Sequence, residues 1–321
     1  MTSLLARLFL LTCLLAGPSA LAQSFPSRNV TIIVTSNPGA LTDVLARAVG
    51  QRLSQIWNQN VVIENKPGGA YAVAAAAAVT ATPDGHTLLA TENGMFTIQP
   101  NLLRNRAYKP TDFVPVANIA RVPMALFAHP SVPAKTTGEL IALAKQKPGT
   151  ISYGTAGVAT APHMVMLLFE RLSGTKFTPI HYRGVPLAIN DLVGGHINML
   201  WLGPSILLPA FRDNKVTMLS IGSSKPLPQL ANVPTTAETV PGFEASVSFG
   251  LYTQAAVPAA VVARINADVQ QIVADPAFQE RFFKPQLLEA MPGPPDAFAR
   301  VNAAELQKWA KLIEDVKLTI D

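Results

Sequence analysis

Apolar and polar positions along this chain fall into short blocks whose period switches repeatedly between that of a strand and that of a helix. The clearest case covers residues 30–56. Val30, Ile32, Ile33 and Val34 make a β-branched run that suits a strand covered on both faces. Asn37, Pro38 and Gly39 interrupt it. From Thr42 and Asp43 onward the apolar positions are Leu45, Val49, Leu53 and Ile56, at steps of four, four and three, which predict a helix. Such a turn aims unpaired backbone N–H groups and the positive end of a helix at one point, so it favours an anion.

The same pattern continues downstream. Residues 60–63 and 87–90 predict strands, and the alanine run at 72–79 predicts a helix lying close against a sheet. Residues 123–128 read as a strand. Residues 137–147 read as a helix with Glu139 early and Lys145 and Lys147 late, as the helix dipole favours. The opening device then recurs. A strand at 151–153 leads through the glycine-bearing loop 154–160 into a helix at 162–172, with Met164, Leu168 and Leu172 on its buried stripe. Further strands are predicted at 179–182, 197–202, 216–221 and 249–253, and further helices at 188–193, 258–273 and 296–316. This alternation predicts an α/β fold with parallel sheets. The proline-rich stretch 224–243 reads as the return to the first domain, which gives 23–124 plus 248–321 as one domain and 125–247 as the other. Two strand–loop–helix units then face one ligand.

The first 22 residues change the picture of where the chain works. Arg7 is their only charge, an apolar run follows, and Ala20-Leu21-Ala22 fits cleavage before Gln23. They read as a secretory signal peptide, too short for a membrane span, and they point to the periplasm. Cys13 is the only cysteine, so the mature chain has no disulfide and must rely on its core. Loss of Arg7 lowers the formal charge from +5 to +4. That excess is spread along the chain without interleaved aromatics, which argues against a nucleic-acid partner.

No catalytic set emerges. His86, His129, His163, His181 and His196 have no metal-ligand spacing, so neither a metal nor a cofactor is expected. Gly203-Pro204-Ser205-Ile206-Leu207 lacks the second glycine of a nucleophile elbow, and Pro204 spoils the turn. Asp43 reads first as a carboxylate stabilising its own helix, with Arg47 one turn on. Tyr182 and Arg183 stand at a strand end suited to a ligand loop, and Arg183 could either meet a carboxylate or lie along the cleft rim. Micromolar affinity needs about 8.2 kcal/mol. One helix terminus contributes at most about 2 kcal/mol. Both loops must therefore converge, aided by charge-assisted hydrogen bonds of roughly 1.5–3 kcal/mol each.

Many ordered short matches carry a family resemblance. They include Pro38-Gly39 with Asp43, Ala46 and Arg47; Glu64-Asn65-Lys66-Pro67-Gly68; Pro83-Asp84-Gly85-His86-Thr87-Leu88; Asp112-Phe113-Val114-Pro115-Val116; Tyr182-Arg183-Gly184; and Asp191-Leu192-Val193-Gly194-Gly195. Over essentially the whole mature length the chain resembles the Bug family, the periplasmic solute receptors of tripartite tricarboxylate transporters. The resemblance implies a type II periplasmic-binding-protein fold, in which two domains, each a mostly parallel sheet flanked by helices, close on a small organic carboxylate. It also implies a monomer that serves membrane transporter subunits and performs no catalysis.

Carried onto this chain, the implied contacts in the first loop are Ser36, Asn37, Gly39, Ala40, Leu41, Thr42 and Asp43. Those in the second are Gly154, Thr155, Ala156, Gly157, Thr160 and His163. Asn93, Tyr182, Arg183, Ser248 and Phe249 complete the set. Asn37 and Ala40 depart from the family's Pro-Pro-Gly-Gly, and Ser248 replaces its usual Trp. A Cβ at Ala40 is expected to restrict positive φ and narrow the approach, and Ser248 to enlarge or polarise the pocket. Two other readings stand beside this one: an exported hydrolase using Ser205 or His163, and a ligand-sensing partner of a signalling receptor.

Overall fold

A computed structural model describes residues 25–103 and 107–319. The signal-peptide reading falls outside them. The opening block folds as expected into β1 (Val30–Val34) and α1 (Leu41–Trp57). Then come β2 (Val61–Asn65), α2 (Ala72–Val79), β3 (Thr87–Glu92) and two short helical turns, Gly94–Thr97 and Gln99–Leu102. With β4 (Phe113–Pro123), β10 (Ser246–Gln254) and β11 (Glu289–Ala290) they build a six-stranded sheet ordered β11-β4-β10-β3-β1-β2. The intervening β5 (Ala125–Ala128), β6 (Ser152–Thr155), β7 (Thr178–His181), β8 (Met199–Leu202) and β9 (Thr217–Ile221) form a second sheet ordered β7-β6-β8-β5-β9.

Both sheets are mixed rather than mostly parallel. Parallel pairing is confined to β2-β1-β3 and β7-β6-β8, where helical crossovers join the strands. The remaining pairs are antiparallel because β5 and β10 enter directly from the other sheet or from a loop, with no crossover helix to reverse them.

Strand alternation explains the two-sided packing. Val30, Ile32 and Val34 join Leu45, Val49 and Leu53 of α1, and Ile265 and Val269 of α7 (Ala259–Ala274), on one face. Ile33 and Leu89 turn the other way, onto Ala74, Ala75 and Ala78 of α2. The small alanines let that helix lie close, as the sequence implied. In the second sheet, Tyr153, Met199 and Trp201 pack under α3 (Thr137–Gln146) and α4 (Ala161–Ser173). Phe127, Leu200 and Leu202 face α5 (Val185–Val193) and α6 (Pro204–Arg212).

Among the elements the sequence pattern missed, β4 and α6 have identifiable causes. β4 runs eleven residues through the large sheet despite Pro115. Its pairing with β10 slips register where Leu251 and Tyr252 face Ala117 and Pro115, leaving Val116 of β4 as the extra residue, and such a bulge tolerates a neighbour that donates no ladder bond. α6 begins at Pro204 and contains Pro209, so two prolines hid it.

The chain passes between the sheets at Met124, Gly222 and Ala245. These three are tied into one knot: Met124 N–H donates to the Ala245 carbonyl (3.0 Å), Gly222 N–H to Met124 (2.7 Å) and Ala245 N–H to Gly222 (2.9 Å). The final helix α8 (Pro295–Val316) touches both layers, setting Phe298 at a tilt against Tyr252 of the large sheet and pairing Asp315 with Arg171 of α4.

Candidate functional site

Parallel pairing places the carboxyl ends of β1 and β3 on one edge of the large sheet. Phe249 lies opposite Glu92, so the start of β10 is on that edge too. The carboxyl ends of β6, β7 and β8 share an edge of the second sheet. Ligands of open α/β sheets bind outside such edges. Here the two edges meet at a cavity of about 80 Å³. Glu92, Asn93 and Gln99 line it from the first edge, Ala159, Thr160 and Ala161 from the second, and Trp309 of α8 closes one side. A larger hollow of about 640 Å³ lies by Phe211, Arg212 and Lys284, away from both edges. Size alone therefore does not locate the site.

The first loop is held from inside by Asp43, whose side chain is 3 % exposed. Its carboxylate accepts from Gly39 N–H (2.9 Å), Arg47 Nε (3.0 Å) and Asn65 Nδ2 (2.8 Å). Burial alone would raise its pKa, but hydrogen bonds from Arg47, Gly39 and Asn65 and the Arg47 charge hold it below the usual value. Asp43 therefore consumes one N–H that a ligand could have used. The N–H groups of Leu41 and Thr42 and that of Asp43 itself meet no acceptor among the described residues. Ser36 Oγ is buried and unpaired. Only Gly39 in this loop has positive φ (83°), whereas Ala40 sits at −69°. The expected restriction at Ala40 does not arise, because its backbone is extended and accommodates a Cβ freely.

In the second loop Thr160 Oγ1 donates to the Gly157 carbonyl at 2.7 Å, and Gly157 (φ 126°) allows the turn. Thr155 Oγ1 lies 2.7 Å from His181 Nδ1. Ala159, at a left-handed φ of 61°, donates its N–H to His163 Nδ1 (3.0 Å). Nδ1 is thus the acceptor and Nε2 carries the proton. Burial, with His181 4.9 Å away ring to ring, pushes the His163 pKa down to about 4. The unfolded chain binds this proton near pH 6.5 and the folded chain only near pH 4. The stability in question is therefore complete above pH 6.5 and lost as pH falls through that window, by up to roughly 3 kcal/mol. Urea midpoints at pH 7 and pH 4 check this: His163→Asn, which keeps an acceptor but cannot titrate, should lose markedly less stability in acid than the native protein.

Other nominated residues are less available. Tyr182 donates its hydroxyl to Asp191 at 2.6 Å, and burial and that carboxylate push its pKa up to about 12. Arg183 is exposed and has no ion pair among the described residues. Asn93 and Ser248 hold each other: Asn93 N–H donates to the Ser248 carbonyl (2.8 Å) and Ser248 N–H to Asn93 Oδ1 (3.1 Å). Both bonds use the Ser248 backbone, so this tie is independent of the side chain at 248, and Phe249 packs in the core. Gly154 and Ala156 belong to the backbone of the second edge; a Cβ on Gly154 would stand 2.6 Å from Ile197. Of all the nominated residues, Asn93 and Thr160 line the cavity.

Sequence reasoning missed Tyr71, Glu92 and Trp309. Ala70 and Tyr71 both adopt left-handed backbone (φ 46° and 75°), costing roughly 1–2 kcal/mol each. That geometry delivers the Tyr71 hydroxyl to Glu92 Oε1 at 2.6 Å. Burial raises the Glu92 pKa and the Tyr71 bond lowers it in part, while the Tyr71 pKa is well above its ordinary value. The one signal for Glu92 was an acid ending an otherwise buried strand.

Comparison with known proteins decides what this geometry belongs to. The family model described as "Tripartite tricarboxylate transporter family receptor" matches residues 45–318. The chain belongs to this receptor family. Among its relatives, protein BugT of Bordetella pertussis is 28% identical over 320 residues, covering 98% of both chains. R. palustris Rpa4515 with adipate superposes with a TM-score of 0.80 at 29% identity, covering 90% of this chain and 97% of that one. MatC from Rhodopseudomonas palustris, with bound malate, gives 0.75 at 27%, covering 90% and 100%. The receptor thus has the two-domain fold of periplasmic binding proteins, and it is a solute-binding protein, not an enzyme. Among the described residues no group of three or more His, Cys, Asp or Glu could hold a metal, and no helix is long and apolar enough to cross a membrane.

Proposed function

We propose that this receptor captures a small organic carboxylate in the periplasm and delivers it, as a monomer, to the membrane subunits of a tripartite tricarboxylate-type transporter. Residues 23–124 plus 248–321 would form one jaw and 125–247 the other. The site would comprise the loops at 36–43 and 154–163 with Asn93, Tyr182, Arg183 and Ser248. What supports this reading is the convergence of two carboxyl edges at one cavity, which Asn93 and the Thr160 start of α4 line; α1, which leaves the first edge beside it, likewise starts without a side-chain cap. The free N–H groups of both helices favour a carboxylate at little reorganisation cost. Adipate in Rpa4515 and malate in MatC support the ligand class. Exposed Val44 and Val73 on one edge and Val158, Leu187 and Ile206 on the other are apolar surfaces that closure would remove from water. A thermal-shift screen of carboxylates against the purified mature chain tests the proposal.

A further inference from the structure

The cavity contains an apparent contradiction. If it receives a carboxylate, an acid in its wall should repel the ligand. Among the described residues lining it, none is Lys, Arg or His, so Glu92 has no cationic neighbour inside the cavity. Among the described residues its carboxylate accepts one hydrogen bond, from Tyr71 to Oε1. Glu92 remains partly exposed, and it lines the cavity.

The opposite wall has the opposite polarity. Thr160 and Ala161 line it, and they form the N-terminus of the thirteen-residue α4. The hydroxyl of Thr160 is spent on Gly157, and the N–H groups of Ala161 and His163 meet no acceptor among the described residues. The cavity is therefore dipolar, favouring negative charge at Ala161 and a donor at Glu92.

Resting on the carboxylate-receptor reading, we infer that Glu92, positioned by Tyr71, selects a ligand carrying a cationic nitrogen beside its carboxylate, an amino-carboxylate rather than a plain dicarboxylate. The ligand's carboxylate lies at the α4 terminus and its ammonium against Glu92. The ammonium supplies the counter-charge the wall lacks and offsets the burial that otherwise favours the neutral acid. Two successive left-handed non-glycine residues hold Tyr71 in place, and strained backbone of this kind persists where surrounding structure over-determines it.

The test is isothermal titration of the mature protein with matched pairs that differ only in the ammonium: propionate and alanine, succinate and aspartate, glutarate and glutamate. In at least one pair the amino member should bind about tenfold or more tightly, the scale of one charge-assisted hydrogen bond. Glu92→Gln should collapse that ratio and strengthen the plain member. Tyr71→Phe, which removes one hydroxyl and is the fallback if Glu92→Gln fails to fold, should narrow the ratio. Plain carboxylates binding as well as their amino partners, or a ratio unchanged in both variants, would overturn the inference while leaving the receptor reading intact. Binding of neither member of any pair, with other carboxylates bound, would also overturn it. Silence toward every carboxylate would overturn the receptor reading, and the inference with it.

Discussion

Asp43→Ala is expected to cost about 3 kcal/mol of stability and to lower ligand affinity at least about tenfold. Its carboxylate gathers Gly39, Arg47 and Asn65, and its side chain is only 3 % exposed. Removing one partner of a buried pair costs about 3–5 kcal/mol, and the half-exposed Arg47, which can turn to solvent, places this case at the lower end. The affinity loss follows because the Gly39 tie fixes the 36–40 loop against the start of α1. Asp43→Asn keeps an acceptor and should fall between the two. Because the folded pKa is lowered, this stabilisation is present above the ordinary carboxylate value of 3.8 and is lost as pH falls through the lower folded value. Urea unfolding and calorimetric titration on the same preparations check both effects.

Gly222→Ala should be the most damaging single-methyl change near the crossover. An added Cβ would lie 2.8 Å from the Ala245 carbonyl oxygen and 3.1 Å from that of Met124. These are backbone atoms within the hydrogen-bonded knot, so they cannot swing aside. Overpacking of this kind costs about 1–3 kcal/mol, and here it also strains three interlocked bonds. Since both connections between the sheets, β4 to β5 and β9 to β10, pass through that knot, ligand-induced compaction measured by small-angle scattering should shrink as well. Gly138→Ala is the control. It lies in α3, and the nearest atom to its added Cβ, on Thr239, would be 3.8 Å away, so stability should hold or rise.

How far the sequence reveals the molecule depends on how local each cause is. The α2 helix was legible to its last residue, because an alanine run admits one packing mode. The two strand–loop–helix units were legible because strand period, turn and helix stripe sit side by side in sequence. β4 was obscured by Pro115, whose tolerance depends on a bulge at Val116 that exists only when β4 pairs with the sequence-distant β10. The mixed character of the sheets was hidden because strand direction depends on which sheet the chain enters, and no local pattern records that.

Within the site, the structural role of Asp43 was readable from its position in the first helical turn. The Tyr71–Glu92 pair was not. It depends on left-handed backbone at Ala70 and Tyr71, where no glycine marks the turn. Trp309 reaches the cavity only through the docking of the terminal helix, and its amphipathic stripe gives no hint of that. Ala40 shows the reverse error. A family glycine is missing there, yet the loop needs positive φ only at Gly39.

The most direct measurement is the thermal-shift screen of mono-, di-, amino- and aromatic carboxylates against the mature chain. One chemical class should give a saturable rise in unfolding temperature, equivalent to about 2.7 kcal/mol at one hundred times the dissociation constant. An unfolding temperature unmoved by every carboxylate at millimolar concentration would contradict the claim that the two loops form a carboxylate site.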